Sequence, residues 1–248
     1  MNRMIMLFGI ALCSLVFFVN ADMVAKIATF EGTVQVMKKG AADWKNARPG
    51  MPLEVGDQVY TQAESFAEIR YAIGTVLRMD EKTKVTLESS SEKTVKSKSA
   101  IGTVWVNMRK LVSTGKEFEV STPTAVAAIR GTVYNMSTAA DSASDVSVYE
   151  GKVAVGPSDD LKKKLEQEKK KAAARTEKPV EVPGPEEIPG PYEVSLEQWR
   201  TIVAGQKIVV RNDGKFAQEK FDAKAAAKIA FVKKNLALDV ELMKENAK

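Results

Sequence analysis

The sequence predicts an all-β protein, either a twisted β-sandwich or a short β-helix-like roll of about twelve strands. Apolar and polar residues alternate in short segments, as at Val34 and Val36 or at Val104 and Val106, which is typical of half-buried strands. The tripeptide Gly-x-Val recurs five times, with its glycines at positions 32, 74, 102, 131 and 151. Turn-forming residues separate these segments, and we expect no helix between residues 24 and 156.

Residues 1–21 have the organisation of a cleaved secretory signal peptide. Arg3 precedes an uncharged run, MIMLFGIALCSLVFFV, and Ala21 places a small residue at the cleavage position. A retained membrane anchor is the alternative, but the run is shorter than the ~20 residues of a spanning helix. Cys13 could mark a lipoprotein, yet the large Leu12 before it does not favour lipidation. We therefore expect an exported protein, periplasmic or extracellular, with no membrane span after cleavage.

The amino-acid composition limits the catalytic and metal-binding chemistry that the protein can perform. The 248-residue chain has no histidine and one cysteine, which would be lost with the signal peptide. Histidine acid–base catalysis, thiol chemistry and zinc–thiolate sites are therefore excluded, and core packing has to hold the fold without disulfides. Ser113 and Lys116 match a Ser-x-x-Lys motif, but they fall in a predicted turn and not at the start of a helix. We predict no enzyme, no cofactor and no metal. The 37 basic and 32 acidic residues are too balanced to indicate a nucleic acid partner.

The repeated glycines predict how residues 24–156 fold. A glycine that opens a strand adopts a backbone conformation closed to other residues, or lets a neighbouring strand approach closely. Two of the intervals between these glycines are about 28 residues, which indicates a structural unit of two or three strands. FEGTVQV at 30–36 and YEGKVAV at 149–155 echo each other. We expect these opening and closing strands to lie side by side.

Residues 157–191 differ from the strands around them, and we interpret them as an insertion. Ser158 and the two aspartates after it can cap a charged helix with the sequence LKKKLEQEKKKAAA. KPVEVPGPEEIPGPYEV then forms an extended Pro-rich linker. In residues 192–216, IVAGQKIVVRNDGKF predicts returning strands, a hairpin or a pair of edge strands, with a turn at Asn212-Asp213-Gly214.

Residues 217–248 predict a long amphipathic α-helix from about residue 218 to residue 246. Its apolar stripe consists of Phe221, Ala225, Ile229, Val232, Leu236, Val240 and Met243. This stripe either packs on the β domain or forms a surface for a partner, including self-association through residues 218–246.

The order and spacing of these motifs resemble the FecR-type domain, a family named after the iron-citrate signalling regulator. The resemblance is carried by Glu31-Gly32-Thr33-Val34, Trp44, Gly50-x-x-Leu53-x-x-Gly56-Asp57, Phe118-x-Val120-x-Thr122-Pro123 and Glu150-Gly151-x-Val153. Ala204-Gly205-Gln206 is similar to the return strand that such domains often have. The resemblance implies a non-catalytic domain on the periplasmic side that relays a signal by binding other envelope proteins. Because this chain starts with a signal sequence in place of the family's cytoplasmic helical domain, direct control of transcription is not implied.

AIRGTVY at 128–134 differs from the similar strings AIGTVL and AIGTVW by one inserted residue, Arg130. An extra residue would turn every later side chain to the other face, so we predict a β-bulge at Arg130-Gly131. Arg130 then either pairs with Glu31 or Glu150, or contacts a partner or an anionic ligand. The residues assigned to the structural motif are Gly32, Gly74, Gly102, Arg130, Gly131, Thr132 and Gly151.

Two functions stay open from the sequence. The first is a protein-binding, signalling or scaffold module of the cell envelope, which uses strand edges and the C-terminal helix. The second is a receptor for a glycan or another cell-wall ligand, which needs exposed aromatic side chains such as Trp44, Trp105 or Trp199. Trp105 alternates away from its buried neighbours, so Trp105 and Arg130 are the candidate contacts with a partner or ligand.

Overall fold

The structure, a computed structural model, describes residues 23–108, 117–129, 131–139, 141–176 and 199–245. The predicted signal peptide, Arg130 and the Pro-rich segment 179–191 lie outside these residues. Within them the chain forms seventeen strands and three helices. The strands are β1 (Ala25–Glu31), β2 (Val34–Met37), β3 (Lys45–Asn46), β4 (Pro52–Leu53), β5 (Gln58–Thr61), β6 (Phe66–Tyr71), β7 (Val76–Met79), β8 (Lys84–Ser90), β9 (Thr94–Met108), β10 (Glu117–Ser121), β11 (Ala125–Ile129), β12 (Thr132–Thr138), β13 (Ser144–Glu150), β14 (Lys152–Pro157), β15 (Arg200–Val203), β16 (Gln206–Val210) and β17 (Phe216–Lys220). The helices are α1 (Asp159–Thr176), α2 (Ala223–Ala226) and α3 (Ala230–Glu245).

The strands form one open, 17-stranded network that is folded into two facing sheets. The first sheet has the order β4-β1-β6-β7-β9-β12-β13-β16-β17. The second has the order β3-β2-β5-β8-β9-β10-β11-β14-β15. Only the β9–β10 pair is parallel among the pairings of the described residues. The predicted all-β class is confirmed, since strand predominates over helix, at 51% against 18%, in one large open mixed sheet.

Strand β9 belongs to both sheets and joins them. Its first half, up to Ile101, pairs with β8 and β10 in the second sheet. Its second half, from Gly102 onward, pairs with β7 and β12 in the first sheet. The change occurs at Gly102, whose φ of +92° is open to glycine but strained for other residues.

A residue with positive φ stands at every described point where the chain crosses from one sheet to the other. These residues are Gly32, Gly50, Gly56, Glu64, Lys82, Gly102, Gly131, Gly151 and Gly205. Successive crossings pack closely: a Cβ on Gly102 would lie 2.3 Å from Thr83 Oγ1, and Thr103 N donates a hydrogen bond to that same oxygen at 3.0 Å. Gly-Thr-Val at 32–34, 102–104 and 131–133 therefore marks a change of sheet.

Two expectations about the repeats are wrong in detail. Gly74 lies in the hairpin between β6 and β7 of one sheet, so it is not equivalent to the crossing glycines. The echoing segments, β1–β2 and β13–β14, are not neighbours, because β1 pairs with β4 and β6 whereas β13 pairs with β12 and β16. They resemble each other because each crosses from the first sheet to the second at a glycine.

The space between the sheets is filled by one apolar core to which both sheets contribute. Tyr71 of the first sheet meets Phe118 of the second edge-on, with ring centroids 4.7 Å apart. The Tyr71 hydroxyl also shares a hydrogen bond of 2.7 Å with Ser97 Oγ. Burial raises the pKa of the phenols of Tyr71 and Tyr134, the latter well above its ordinary value, so both stay neutral in the folded core.

Helix α1 begins where the capping residues predict it. Ser158 Oγ accepts a hydrogen bond from Leu161 N at 3.1 Å and donates one to Pro123 O at 2.6 Å. The helix lies against the second sheet through the buried Leu161, and Lys98 pairs with Asp160 at 2.5 Å. A cavity of about 240 Å³ between sheet and helix is lined by polar residues that include Lys96, Lys98 and Glu119.

The C-terminal region follows the prediction in part. The turn at Asn212-Asp213-Gly214 joins β16 to β17, whereas β15 and β16 lie in different sheets. The predicted single helix from 218 to 246 is wrong at its start, because residues 216–220 form the edge strand β17 and α3 begins at Ala230.

Candidate partner-binding site

Helix α3 covers the outer face of the first sheet, and we call the residues beneath it the α3 face. Phe66, Trp105 and Val133 contribute apolar side chains from three strands. Phe231 and Val232, at the start of α3, complete this small cluster, which is separate from the main core. The α3 face is therefore a second apolar contact that depends on one helix.

A buried ion cluster lies at the centre of the α3 face. Arg78 on β7 is 1% exposed, and its Nε donates a hydrogen bond to Glu68 Oε2 at 2.7 Å. Its Nη1 donates to Asp239 Oδ1 on α3 at 2.5 Å. The other carboxylate oxygen of Asp239, Oδ2, accepts from Trp105 Nε1 at 3.0 Å. Asp239 thus links the helix to two strands of the sheet with both of its oxygens.

The arginines keep the buried carboxylate ionised. Burial by itself would raise the pKa of the Glu68 carboxyl, but hydrogen bonds and charge from Arg78 and Arg70 outweigh burial and lower this pKa below its ordinary value of 4.5. Arg70 Nε donates to Glu68 Oε1 at 2.7 Å. The cluster therefore balances two arginines against Glu68 and Asp239 at neutral pH.

The side of α3 that faces the sheet also carries a buried amide. Asn235 Nδ2 donates to Phe231 O within the helix at 2.8 Å, while its Oδ1 is buried without a hydrogen-bond partner. The backbone oxygen of Asn235 lies 3.5 Å from Arg78 Nη1. Polar groups, more than apolar ones, occupy the middle of this contact.

Further ion pairs at the edge of the α3 face join α3 to the first sheet. Lys234 Nζ lies 2.7 Å from Glu31 Oε2 and 3.9 Å from the centroid of the Phe66 ring. Near the other end of α3, Arg70 Nη1 lies 3.7 Å from Glu245 Oε2. These pairs are partly exposed, so salt and water weaken them more than the central cluster.

The predicted site residues have different outcomes. Trp105 does point to the outer face of the sheet, but it is fully buried beneath α3 and against Tyr149, so the expectation that it is exposed to a ligand is wrong. Arg130 lies outside the described residues, and the bulge expected beside it stays a prediction. Gly131 lies at a crossing between sheets, and Thr132 Oγ1 donates to Lys152 O at 2.7 Å. Among the described residues, the shift in strand register closest to Arg130 falls between Val133 and Tyr134, where β12 pairs with β13.

Arg78, Glu68 and Asp239 were missed by the sequence reasoning, although Arg78 and Asp239 each leave a signal. Arg78 interrupts the strand VLRM, whose residues are otherwise apolar, and Asp239 lies among apolar residues in ALDVEL. A charge within an apolar segment is seldom buried without a partner of opposite charge. The sequence does not reveal the partner, since Arg78 and Asp239 are far apart along the chain.

The described residues contain no group of three or more Asp, Glu, Cys or His side chains that could hold a metal ion. None of the described helices is both long enough and apolar enough to cross a membrane.

The motifs that carry the resemblance lie in the strands and sheet crossings of residues 30–156. Residues 57–154 match the model of the family described as FecR protein, which is the family that the motifs resemble. No curated protein matches the chain.

Two similar crystal structures are described as a candidate anti-sigma factor from Parabacteroides distasonis ATCC 8503. They are 20% and 19% identical to this chain, with TM-scores of 0.45 and 0.46. In both cases the match covers 67% of this chain and 61% of the other.

Proposed function

We propose that this chain is a non-catalytic, exported module of the cell envelope that binds other proteins in signalling or as a scaffold. Its FecR domain supports a regulatory role, because the family resemblance implies signal relay through protein contacts. The observation that carries the proposal is the buried Arg78–Asp239 pair, which attaches α3 to the sheet through charge. The site of binding in this proposal is the α3 face.

A helix that is held by buried charges can be released more readily than one held by a large apolar surface. When α3 leaves, water solvates Arg78 and Asp239 again, which offsets much of the lost attraction between them. Trp105 and Arg78 would then be exposed on the sheet as an aromatic side chain beside a cation. A partner segment with a carboxylate can replace Asp239 by accepting hydrogen bonds from both.

A variant that weakens the contact between α3 and the first sheet tests this function. Asp239→Ala removes the helix side of the cluster, and we expect it to increase capture of a specific protein from an envelope extract several-fold over the wild type. Lys244→Ala is the matched control, since it removes an exposed charge from the same helix. Substitution is preferable to deleting residues 217–248, because the deletion would remove most of edge strand β17. Equal or weaker capture by Asp239→Ala would contradict competition between the partner and α3.

A glycan or another cell-wall ligand is the second candidate function, and one aromatic pair favours it. Trp44, just before β3, and Tyr60 of β5 are half-buried, with ring centroids 6.1 Å apart, and Lys84 Nζ lies 5.5 Å from the Trp44 ring centroid. Sugars stack on such partly exposed rings. We expect cell-wall fragments to change the tryptophan fluorescence of the wild type and of Trp199→Ala, but not of Trp44→Ala. Unchanged wild-type fluorescence would remove this candidate.

Export is part of the proposal and has its own test. Removal of residues 1–21 would leave Asp22 as the first residue of the mature protein. N-terminal sequencing of the protein from the periplasmic or culture fraction should therefore begin at Asp22. Recovery only from the cytosol, with Met1 still present, would refute export.

A further inference from the structure

The connection between β17 and α3 is a helix that is interrupted where the sequence contains no helix breaker. Asp222 caps the short helix α2, since its Oδ1 accepts a hydrogen bond from Lys224 N at 2.8 Å. Residues 222–245 contain neither glycine nor proline, and alanine, the strongest helix former, is the commonest residue around the interruption at 227–229. The local sequence therefore does not end the helix that Asp222 begins.

Helix α3 also begins without a side-chain cap. The residue before it is Ile229, whose side chain has no hydrogen-bond acceptor, so Lys233 N donates to the backbone oxygen of Ile229 at 2.9 Å. In the interruption itself, Lys228 N and Ile229 N donate to carbonyl oxygens only three residues before them. The bend thus deprives the first amides of α3 of the partners that one continuous helix would supply.

The bend is imposed by the contact of α3 with the first sheet. Asp239 has to reach Arg78 and Trp105, so the chain turns back over the α3 face after α2. The connection gains little burial in return, because none of the residues 222–229 is buried. Local preference and tertiary contact therefore favour different conformations of this segment, which is the property of a hinge.

The α3 face itself indicates what occupies it when the connection straightens. Its apolar cluster accommodates Phe231 and Val232, and its ion cluster accommodates the carboxylate of Asp239. The α3 helix of a second copy presents the same side chains at the same spacing. It can therefore make every contact that α3 makes within one copy, without any further complementarity.

We propose that two copies of this chain exchange their α3 helices, so that Asp239 of each copy binds Arg78 and Trp105 of the other. In the exchanged dimer, residues 223–245 form one straight helix that begins at the Asp222 cap. The exchange is reciprocal, so it closes at two copies. It rests on the proposed function only in that α3 can leave its own sheet, and it names a second copy as an occupant of the α3 face.

The straight helix determines whether the exchange is measurable. In the monomer, a short connection keeps α3 near its own face at an effective concentration of roughly 1 mM, and an exchange has to compete with this. Straightening lets the first amides of α3 donate to carbonyls four residues before them, which should favour the dimer about tenfold for each copy. We therefore expect a dissociation constant on the order of 10 µM, measured by sedimentation velocity of the purified protein after equilibration at each concentration.

Zero-length cross-linking identifies the copy that each α3 covers. Lys234 Nζ lies 2.7 Å from Glu31 Oε2 at the edge of the α3 face, so a carbodiimide can join the two side chains by an amide bond. Copies labelled with ¹⁵N and unlabelled copies are mixed in equal amounts and equilibrated. In the dimer fraction, about half of the joined peptides should then have one labelled and one unlabelled part. Lys96 and Glu119, 2.8 Å apart within the second sheet, are the internal control and should always carry the same label.

Two proline variants test the straight helix. Ala230→Pro suits the first position of the bent α3, but in a straight helix it removes a hydrogen bond and clashes with the preceding turn. We expect it to weaken dimerisation by about a hundredfold or more. Ala223→Pro is the matched control, because the first position after the Asp222 cap tolerates proline in both forms, and it should leave dimerisation unchanged.

Several results would overturn the exchange. These are a wild-type monomer at every concentration up to about 1 mM, a dimer whose Lys234–Glu31 peptides always carry the same label, or undiminished dimerisation of Ala230→Pro. Each uses the purified protein alone, so the exchange can fail while Asp239→Ala still captures more of an envelope protein than the wild type. Unchanged capture by Asp239→Ala would in turn refute the proposed function, and peptides of mixed label would still support the exchange.

Discussion

Replacing Asp239 with alanine tests how α3 is held on the first sheet. The change removes the carboxylate that accepts hydrogen bonds from Arg78 Nη1 and Trp105 Nε1. Arg78 keeps Glu68 as its remaining carboxylate partner in the cluster. With α3 still docked, a buried guanidinium loses one of its two counter-charges and the indole N–H loses its acceptor.

Two free-energy terms of similar size then compete. Removing one partner of a buried ion pair costs about 3–5 kcal/mol when the other stays buried. Releasing α3 lets water reach Arg78 and Trp105, but it exposes Phe231 and Val232, at about 1.5–3 kcal/mol for each side chain. The docked and released states of the variant therefore come within a few kcal/mol of each other. The main consequence should be release of α3 and not unfolding of the sheets.

Hydrogen exchange followed by mass spectrometry separates these outcomes. A penalty of about 3 kcal/mol should speed exchange of the α3 amides by roughly a hundredfold or more. Peptides from β7 and β9 should keep most of their protection, and the urea midpoint of the sheets should change little. Lys244→Ala changes an exposed charge on the same helix and should leave α3 protection close to wild type.

The reasoning fails if α3 in Asp239→Ala stays protected until the whole protein unfolds. It also fails if the urea midpoint of the sheets falls by the full cost of the broken ion pair. Either result would mean that α3 and the sheets unfold as one unit and that the helix is not a separable cover.

Three further perturbations test the fold. Gly102→Ala puts a Cβ against the neighbouring crossing at positive φ and should lower the free energy of unfolding, measured by urea denaturation, by about 2–4 kcal/mol. Gly40→Ala, with a similar φ and nothing within 4 Å of the new Cβ, should lower it by about 1–2 kcal/mol. Equal losses would contradict the role of close packing. Lys82→Gly relieves a φ of +52° and should raise the free energy of unfolding by up to about 1 kcal/mol, so a loss would argue against strain there. The lowered pKa of Glu68 means that its contribution is present above pH 4.5 and is lost as the pH falls through the lower folded-state pKa. The stability difference between wild type and Glu68→Gln should therefore shrink from pH 6 to low pH, and a constant difference would exclude ionic stabilisation.

Local patterns were enough to predict the class of fold and several of its elements. Alternation of apolar and polar residues predicts strands because successive side chains of a strand point to opposite faces. Ser158 predicts the start of α1 because a hydroxyl there satisfies a free N–H of the first turn. The recurrent glycines predicted special backbone positions, and each of the five has a positive φ. Each of these patterns depends only on residues that are close together in the sequence.

The orientation of α3 shows where a local pattern misleads. Helical spacing placed Ile229, Val232, Leu236, Val240 and Met243 on one stripe, either for packing on the β domain or for a partner. In the structure, the buried side of α3 is instead defined by Phe231, Val232, Asn235 and Asp239. The helix is rotated because Arg78 and Trp105 attract a carboxylate, and helical periodicity contains no information about those two residues.

What the sequence alone determined is therefore local: strands, turns, a capped helix and glycines where the backbone needs a left-handed conformation. Only the tertiary structure decided which sheet each strand joins, that β9 serves both, and that α3 covers Trp105. The physical reason is that strand pairing and the Arg78–Asp239 ion pair join residues distant in sequence. Their free energy depends on burial, which exists only after the chain has folded.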